Sequence, residues 1–493
     1  MGKEDIFHQL FVGGDLSGIQ KFLYNISSKK AAVSLKGRSY YLRQLMDNVC
    51  TDIKKTAEAS GSKSTRILYC SGGKFYLVTD NTPQIVEAVE ACAKNAKLKL
   101  WEEHKGQLGL NISHVAFNEN PDGTVDCQDA TSKKPGYLWK LANADFARQK
   151  SQKFKELLTE SYQDFFEPIP VGGKPKVCAV TGIESPNCVV FKDFSDDDDA
   201  YVLPSVKQQI QLGEELRLQE EFKTFEEYAK PSNLGILRMD VDGLGKCFIE
   251  GFASIREYEA FSKRLVDFFE NEIAKIQREP SFKSYLNIIY SGGDDLFVVG
   301  RWDKTIDFAE CIQKKIKDLF GSEGISISGG IAVVQPKFPI AKAAELAGEA
   351  EDAAKNYNDI EKGNKNAFHM LGKTVSWNEE FSYVKSFKQQ FVSLIKDDGL
   401  SKGILHKLML YSSIADRNKV LRKEGKQEDY SYIWHISYYL TRYMKRNESN
   451  RAVCDFCRSL RDKEVNYNKG RNLELIALAA RWAELTLKDN IDN

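Results

Sequence analysis

Two short segments gather the residues of this chain best suited to phosphate chemistry. One is DVDGLGK (240–246), which follows the apolar run LGILRM; the other is SGGDDLFV (291–298), which follows LNIIY. An apolar run ahead of each places Asp240 at the end of a strand and Asp294 at the tip of a hairpin. Adjacent strands lie about 4.8 Å apart, so carboxylates placed this way can share a pair of divalent cations. Magnesium takes oxygen ligands and commonly needs only one or two carboxylates beside substrate phosphates. Two such ions about 4 Å apart lower the pKa of an attacking hydroxyl and stabilise a departing pyrophosphate. Gly292 and Gly293 permit the tight turn and leave room for a triphosphate against the backbone. An exposed acidic turn is the plain alternative for SGGDD alone, and DVDGLGK upstream argues against it.

The elements needed to hold these residues occur twice. DLSGIQK (15–21) matches DVDGLGK, and SGGKFYLV (71–78) matches SGGDDLFV; each again follows an apolar run, LFVGG and RILYC. A helical stretch comes next in both copies (83–104 and 303–320), then a strand-like run, GLNISHVAF from Gly109 and GISISGGIAVV from Gly324. Three ordered matches at similar spacing point to a duplication. The order strand, helix, strand, Gly-Gly turn, strand, helix, strand predicts an α+β fold with helices on one face of each sheet. Aligned on the Gly-Gly pair, copy one has Ser17, Lys74 and Phe75 where copy two has Asp242, Asp294 and Asp295. Copy one therefore should not hold two metals. It is expected to shape a second, facing nucleotide pocket, with Ser17 and Lys74 as neutral and cationic contacts.

Four segments follow: a first repeat domain at 1–165, a linker domain at 166–230, a second repeat domain at 231–375 and a C-terminal domain at 376–493. The last loses its strand signals, and YSYIWHISYYLTRYMKR and NLELIALAARWAELTLKD read as helices whose aromatic spacing suits a buried or partner-contacting face.

Composition narrows the function classes. Lys plus Arg and Asp plus Glu both total 70, so bulk electrostatic coating of nucleic acid is not expected. No apolar run approaches the ~18 residues of a membrane helix, and MGKEDIFHQL lacks a signal-peptide pattern, so a cytoplasmic protein without membrane attachment is expected. The ten cysteines are scattered, which fits reduced, mostly buried thiols. The Cys454/Cys457 pair stands alone and reads as structural; the acidic run Asp196–Asp199 reads as a solvated loop.

The two motifs together resemble the palm of GGDEF-type cyclases and polymerases. The first copy, GGDLSGIQKFLYNISSKKAAVSLKGRSYYLRQL (13–45), is similar to the first palm of the large, polymerase-like subunit of type III-A CRISPR effector complexes (the Csm complex). SISGGIAVVQPKFPIAKAAELAGEAEDAAKN (326–356) and AARWAEL (479–485) fit the same family. The resemblance implies two ferredoxin-like palm (GGDEF/cyclase-like) domains, an intervening linker domain and a helical C-terminal domain. It implies a cyclic oligoadenylate synthetase, switched on by target RNA in a complex with other subunits and a guide RNA.

Carried over by residue, Asp240 and Asp294 would hold Mg²⁺ or Mn²⁺ with Asp295 assisting. ATP would be the substrate, one 3′-hydroxyl attacking another α-phosphate. Lys355, after AGEAEDAAK, and Lys246 are candidate triphosphate contacts, each with the alternative of a surface lysine on a helix. Many members of the family begin with an HD nuclease domain. No His-Asp dipeptide occurs here, so HD-type DNA cleavage is not expected. The family's four-cysteine zinc site is expected to be lost, since the linker offers only Cys178 and Cys188, with Thr181 where a CxxC partner would stand. A GTP-using dinucleotide cyclase and a non-catalytic scaffold of the ribonucleoprotein are the competing functions.

Overall fold

The computed structural model describes residues 7–26, 30–104, 106–128, 131–160, 162, 166, 175–195, 198–230, 232–359, 363–464 and 471–489. The chain divides into two compact units, Met1–Ser326 with Val334–Ala347, and Ile327–Val333 with Gly348–Asn493. Among the described residues no helix is long and apolar enough to cross a membrane.

The first unit opens with a five-stranded antiparallel sheet in the spatial order Arg66–Ser71, Lys74–Asp80, Gln9–Ser17, Gly109–Glu119, Val125–Cys127. Helices Ala31–Ala59 and Pro83–His104 form the connections, so each edge of the sheet is reached by a crossover rather than by a hairpin alone. On one face Leu10, Val12, Leu16, Phe75 and Leu77 pack with Leu42, Met46, Ile53, Ile85 and Val89 of those two helices. The expectation of helices on one face only is corrected here. Phe11, Tyr76, Val78 and Phe117 on the opposite face are covered by Trp139, Ala142 and Phe146 of helix Gly136–Ser151 and by Ile255 and Tyr258. The reason is legible in the central strand, QLFVGGDLS, which has no polar alternation and is buried from Leu10 to Leu16. A strand buried on both faces needs cover on both.

The repeat recurs later in the same unit. Strands Leu286–Gly292, Asp295–Arg301 and Leu234–Asp242 lie side by side in that order, antiparallel throughout. Helix Ile255–Asp267 runs on through a π-helical turn, Phe268–Glu272, into Ile273–Gln277 before the hairpin begins. Trp302–Phe320 follows the hairpin, burying Trp302, Ile306, Phe308, Ile312 and Ile316. Between the repeats, helix Pro204–Glu220 crosses Ala31–Ala59 at close range. A Cβ on Gly37 would meet the Gln209 carbonyl oxygen at 1.8 Å, and one on Gly213 the Val33 carbonyl oxygen at 2.0 Å. Small residues at both sides of a crossing let the backbones touch.

In the second unit, Gly329 and Gly330 pair in parallel with Phe368 and His369, and Ala367–Met370 pairs antiparallel with Lys373–Ser376. The rest is helical: Glu380–Lys396, Gly403–Lys423, Ser431–Arg446, Arg451–Ser459 and Arg471–Lys488. Arg471–Lys488 is buried almost all round, from Leu473 to Ala480. Helix Ser431–Arg446 buries Tyr432, Ile436 and Leu440 but leaves Trp434 and Tyr438 each 59% exposed, so its aromatics do not share one buried face.

Candidate functional site

The two hairpins are built alike, and their backbone pairing gives the equivalence of the copies. Ser71 pairs with Lys74 across a Gly72-Gly73 turn, and Gly292 pairs with Asp295 across a Gly293-Asp294 turn. Both hairpins shift register at the same place, between Ile67 and Tyr69 in one and between Ile288 and Tyr290 in the other. Asp15 stands opposite Lys74, as Asp240 stands opposite Asp295. The Leu16 N–H donates to the Gly73 carbonyl at 2.8 Å, as the Val241 N–H donates to that of Asp294 at 3.1 Å.

This corrects the alignment drawn on the Gly-Gly pairs. Lys74 corresponds to Asp295, and Gly73, not Lys74, corresponds to Asp294. The sequence match slid by one residue because two glycines look alike in a string, whereas pairing depends on which of them sits in the turn. In the first hairpin both turn residues are left-handed (φ 61° and 77°); in the second, Gly293 takes φ 70° at the first turn position. Only that first position needs glycine, so the next can carry the Asp294 carboxylate.

The result is an acidic cluster in the second copy. One carboxylate oxygen from each of Asp240, Asp294 and Asp295 lies within 4.8 Å of the other two, and all three residues are half-buried. Among the described residues no other group of three or more His, Cys, Asp or Glu side chains meets this geometry. Three like charges this close repel unless a cation neutralises them. An all-oxygen donor set without His or Cys suits Mg²⁺ or Mn²⁺ better than Zn²⁺. Two tyrosines feel the charge: burial and then Asp294 raise the Tyr69 hydroxyl well above its ordinary pKa, and burial followed by Asp295 and Asp294 does so for Tyr290. Asp242 is buried, and its Oδ2 accepts from Ser326 Oγ at 2.9 Å.

The first copy has a different solution at the matching place. Asp15 is buried, and its Oδ2 lies 2.8 Å from Lys150 Nζ and 3.3 Å from Asn111 Nδ2. Lys150 comes from helix Gly136–Ser151, an element the sequence comparison of the copies did not include. An ammonium group stands there against the strand-end carboxylate.

The remaining predicted residues are placed as follows. Ser17 Oγ donates to the Gly109 carbonyl at 3.0 Å, on the neighbouring strand. Gly292 closes the second turn and Gly293 forms it. The Lys246 side chain is 79% exposed, with Nζ 3.9 Å from Glu250 on the short helix Leu244–Glu250. Lys355 belongs to the second unit, where its Nζ lies 2.7 Å from Glu351. Of the acidic run, Asp196 and Asp197 lie outside the described residues, and Asp199 sits in strand Asp198–Val202. Cys178 is a buried free thiol, and Cys188 Sγ donates to the Lys176 carbonyl at 3.3 Å. Cys454 and Cys457 are free and buried on helix Arg451–Ser459; burial, then Cys454, pushes the Cys457 thiol up to about 12.

Sequence reasoning missed the surroundings of the second turn. The Gly293 N–H donates to Ser71 Oγ at 2.9 Å, and Ser71 Oγ donates in turn to Glu270 Oε1 at 3.2 Å. Glu270 Oε2 lies 2.6 Å from Arg43 Nη2. Burial raises the Glu270 carboxyl pKa, against the lowering pull of Arg43 and Ser71. These residues line a cavity of about 480 Å³ that also touches Lys36, Asn287 and Tyr290. The serine of SGGK was the one available signal; Glu270, inside FFENE, offered none.

Known proteins share this arrangement. Residues 233–369 match the family model described as Cas10/Cmr2, second palm domain, and residues 8–169 match Csm1 subunit domain B. A CRISPR system single-strand-specific deoxyribonuclease Cas10/Csm1 (subtype III-A) of Enterococcus italicus is 26% identical, over 96% of this chain and 66% of that protein. Its counterpart of the same description in Mycobacterium tuberculosis is 25% identical, over 85% of this chain and 62% of that protein. The chain thus spans a little under two thirds of the length of these curated relatives. A crystal structure of a Csm1–Csm4 cassette in complex with pppApA superposes with a TM-score of 0.66 at 18% identity, over 97% of this chain and 69% of that one. A cassette in complex with cA4 superposes at 0.62 and 18%, over 96% and 70%. At such identity the superpositions show a common fold.

Proposed function

Because the chain belongs to the Cas10/Csm1 family of type III-A CRISPR subunits, we propose that it joins ATP into a cyclic oligoadenylate at Asp240, Asp294 and Asp295. Both repeats are read as palm domains of ferredoxin-like order, the second catalytic and the first an acceptor-side partner. The observation that carries this reading is the contrast between the copies. One gathers three carboxylate oxygens within 4.8 Å, and the other sets a lysine against its single strand-end aspartate. An idle pair of repeats has no need of clustered like charges on one side only.

Asp240 and Asp294, assisted by Asp295, would hold Mg²⁺ or Mn²⁺, which lowers the pKa of the attacking 3′-hydroxyl and offsets charge on the departing pyrophosphate. The chain's own part is placement. The Gly293 turn brings backbone close to where a triphosphate would lie, with Gly292 closing it. Lys246, largely exposed, is free to swing toward phosphate, and Ser17 borders the facing pocket. Lys355 is kept as a further triphosphate contact. Solved relatives in complex with ATP, pppApA and cA4 support this choice of nucleotide. The wider setting is a cytoplasmic ribonucleoprotein with other type III-A subunits, guide RNA and target RNA. A Csm1–Csm4 subcomplex among the solved relatives supports that assignment.

The test is incubation of labelled ATP and Mn²⁺ with the chain in its RNA-guided complex, with and without target RNA. Adenylate rings that disappear in the Asp294→Ala, Asp295→Ala variant support the reading. Rings made equally well by that variant sink the site; consumption of GTP instead of ATP, without partners, sinks the substrate.

A further inference from the structure

The acidic turn is held from the other half of the repeat. A Cβ on Gly72 would meet Gly293 Cα at 2.7 Å, and a Cβ on Gly293 would meet Gly72 Cα at 2.8 Å, so the equivalent glycines of the two turns face each other reciprocally. Beside this contact the Gly293 N–H donates to Ser71 Oγ in a buried hydrogen bond. A hydroxyl has one proton and two lone pairs, and an ionised carboxylate only accepts. With Glu270 Oε1 at 3.2 Å, the Ser71 proton is committed to Glu270 and a lone pair is left for Gly293. Glu270 thereby selects the one hydroxyl orientation that anchors the turn.

Glu270 is itself held in two ways. Arg43, from helix Ala31–Ala59 of the first copy, meets its other oxygen at 2.6 Å. It also sits in the π-helical turn Phe268–Glu272, whose neighbouring Phe269 carbonyl accepts from Ser291 Oγ at 2.5 Å. One extra residue in a helix turn re-aims the groups that follow it, and such bulges are common at functional sites. Here the bulge aims a carbonyl at the strand leading into the second hairpin and a carboxylate at the first hairpin. The Asp294 turn is then fixed at both ends, by Ser71 on the Gly293 N–H and by the Val241 N–H on the Asp294 carbonyl.

We propose that Glu270 is a positioning residue of the acidic site: through Ser71 it holds Gly293, and with it the Asp294 carboxylate, in the geometry that binds a divalent cation. The inference rests on the metal-site reading above. Groups behind a ligand commonly change metal affinity by about 10–100-fold when removed. The experiment is Mn²⁺ titration of the purified chain by calorimetry, without nucleotide, for wild type, Glu270→Ala, Glu270→Gln, Arg43→Met and Asp294→Ala. Glu270→Ala is expected to weaken Mn²⁺ binding about 10-fold, with Glu270→Gln between it and wild type because its amide oxygen still accepts from Ser71. Arg43→Met, at a half-exposed position, is expected to move affinity the same way with an unchanged melting temperature, and it carries the test if Glu270→Ala does not fold. Asp294→Ala is expected to lose binding. Wild-type affinity in Glu270→Ala or, failing its folding, in Arg43→Met, beside lost binding in Asp294→Ala, overturns the positioning role alone. Wild-type affinity in Asp294→Ala overturns the metal site and this inference with it.

Discussion

The Lys150 ammonium lies 2.8 Å from Asp15 Oδ2, in the copy of the repeat whose hairpin carries no carboxylate. The second copy has the same strand-end aspartate, Asp240, but faces it with Asp295 across the strands. One half satisfies its buried charge with a covalently attached cation, and the other collects charge that a mobile cation must neutralise.

Removing Lys150 should therefore cost stability. Asp15 is buried, while the Lys150 side chain is about half exposed, so solvent softens the loss. Lys150→Met is expected to lower unfolding free energy by about 1–2 kcal/mol, read from urea denaturation of the chain at neutral pH.

The acidic cluster should show the opposite behaviour. Asp294→Ala relieves repulsion among three carboxylates, so in chelator its melting temperature is expected to equal or exceed that of wild type. Addition of Mn²⁺ at about 100 times its Kd should stabilise wild type by about 2.7 kcal/mol and leave the variant unmoved. Thermal melts with and without the ion decide this.

The facing glycines permit a backbone test. At Gly72, φ is 61° and an added Cβ lands on the backbone of Gly293. Gly72→Ala is expected to cost about 1–3 kcal/mol and to reduce ATP joining although Gly72 lies in the copy without the acidic cluster. A variant with full activity and stability would show that the two turns do not rely on each other.

In the second unit, Glu380 is buried and its two oxygens lie 2.9 and 2.8 Å from Arg471 Nε and Nη2. Burial pushes the carboxyl up, but the Arg471 hydrogen bond and charge bring it net below its ordinary value of 4.5. A carboxyl depressed on folding adds stability that is fully present above the unfolded pKa and is lost as pH falls through the folded one. Glu380→Gln is expected to destabilise by about 2–4 kcal/mol at pH 7, with the gap to wild type closing below pH 4.5. Urea unfolding followed by helix circular dichroism across pH 3–7 would read it.

Much of this protein is determined by sequence alone. The duplicated order of elements, the strand-end Asp240, the Gly-Gly-Asp-Asp turn and the helical end of the chain are all local patterns. Apolar runs of strand length, left-handed turn positions and helical periodicity act over a few residues and can be read there. Tertiary structure decided the rest. Which glycine occupies the turn depends on strand pairing, and that moved the partner of Asp295 from Phe75 to Lys74. The cation beside Asp15 comes from a helix outside the matched elements, and the cover on the sheet's second face is shared by residues as far apart as Trp139 and Tyr258. Ser71, Glu270 and Arg43 meet around Gly293 only because the two copies pack turn to turn. No spacing in the chain records such a contact, since long-range hydrogen bonds are chosen by how folded surfaces fit and not by neighbours along the backbone.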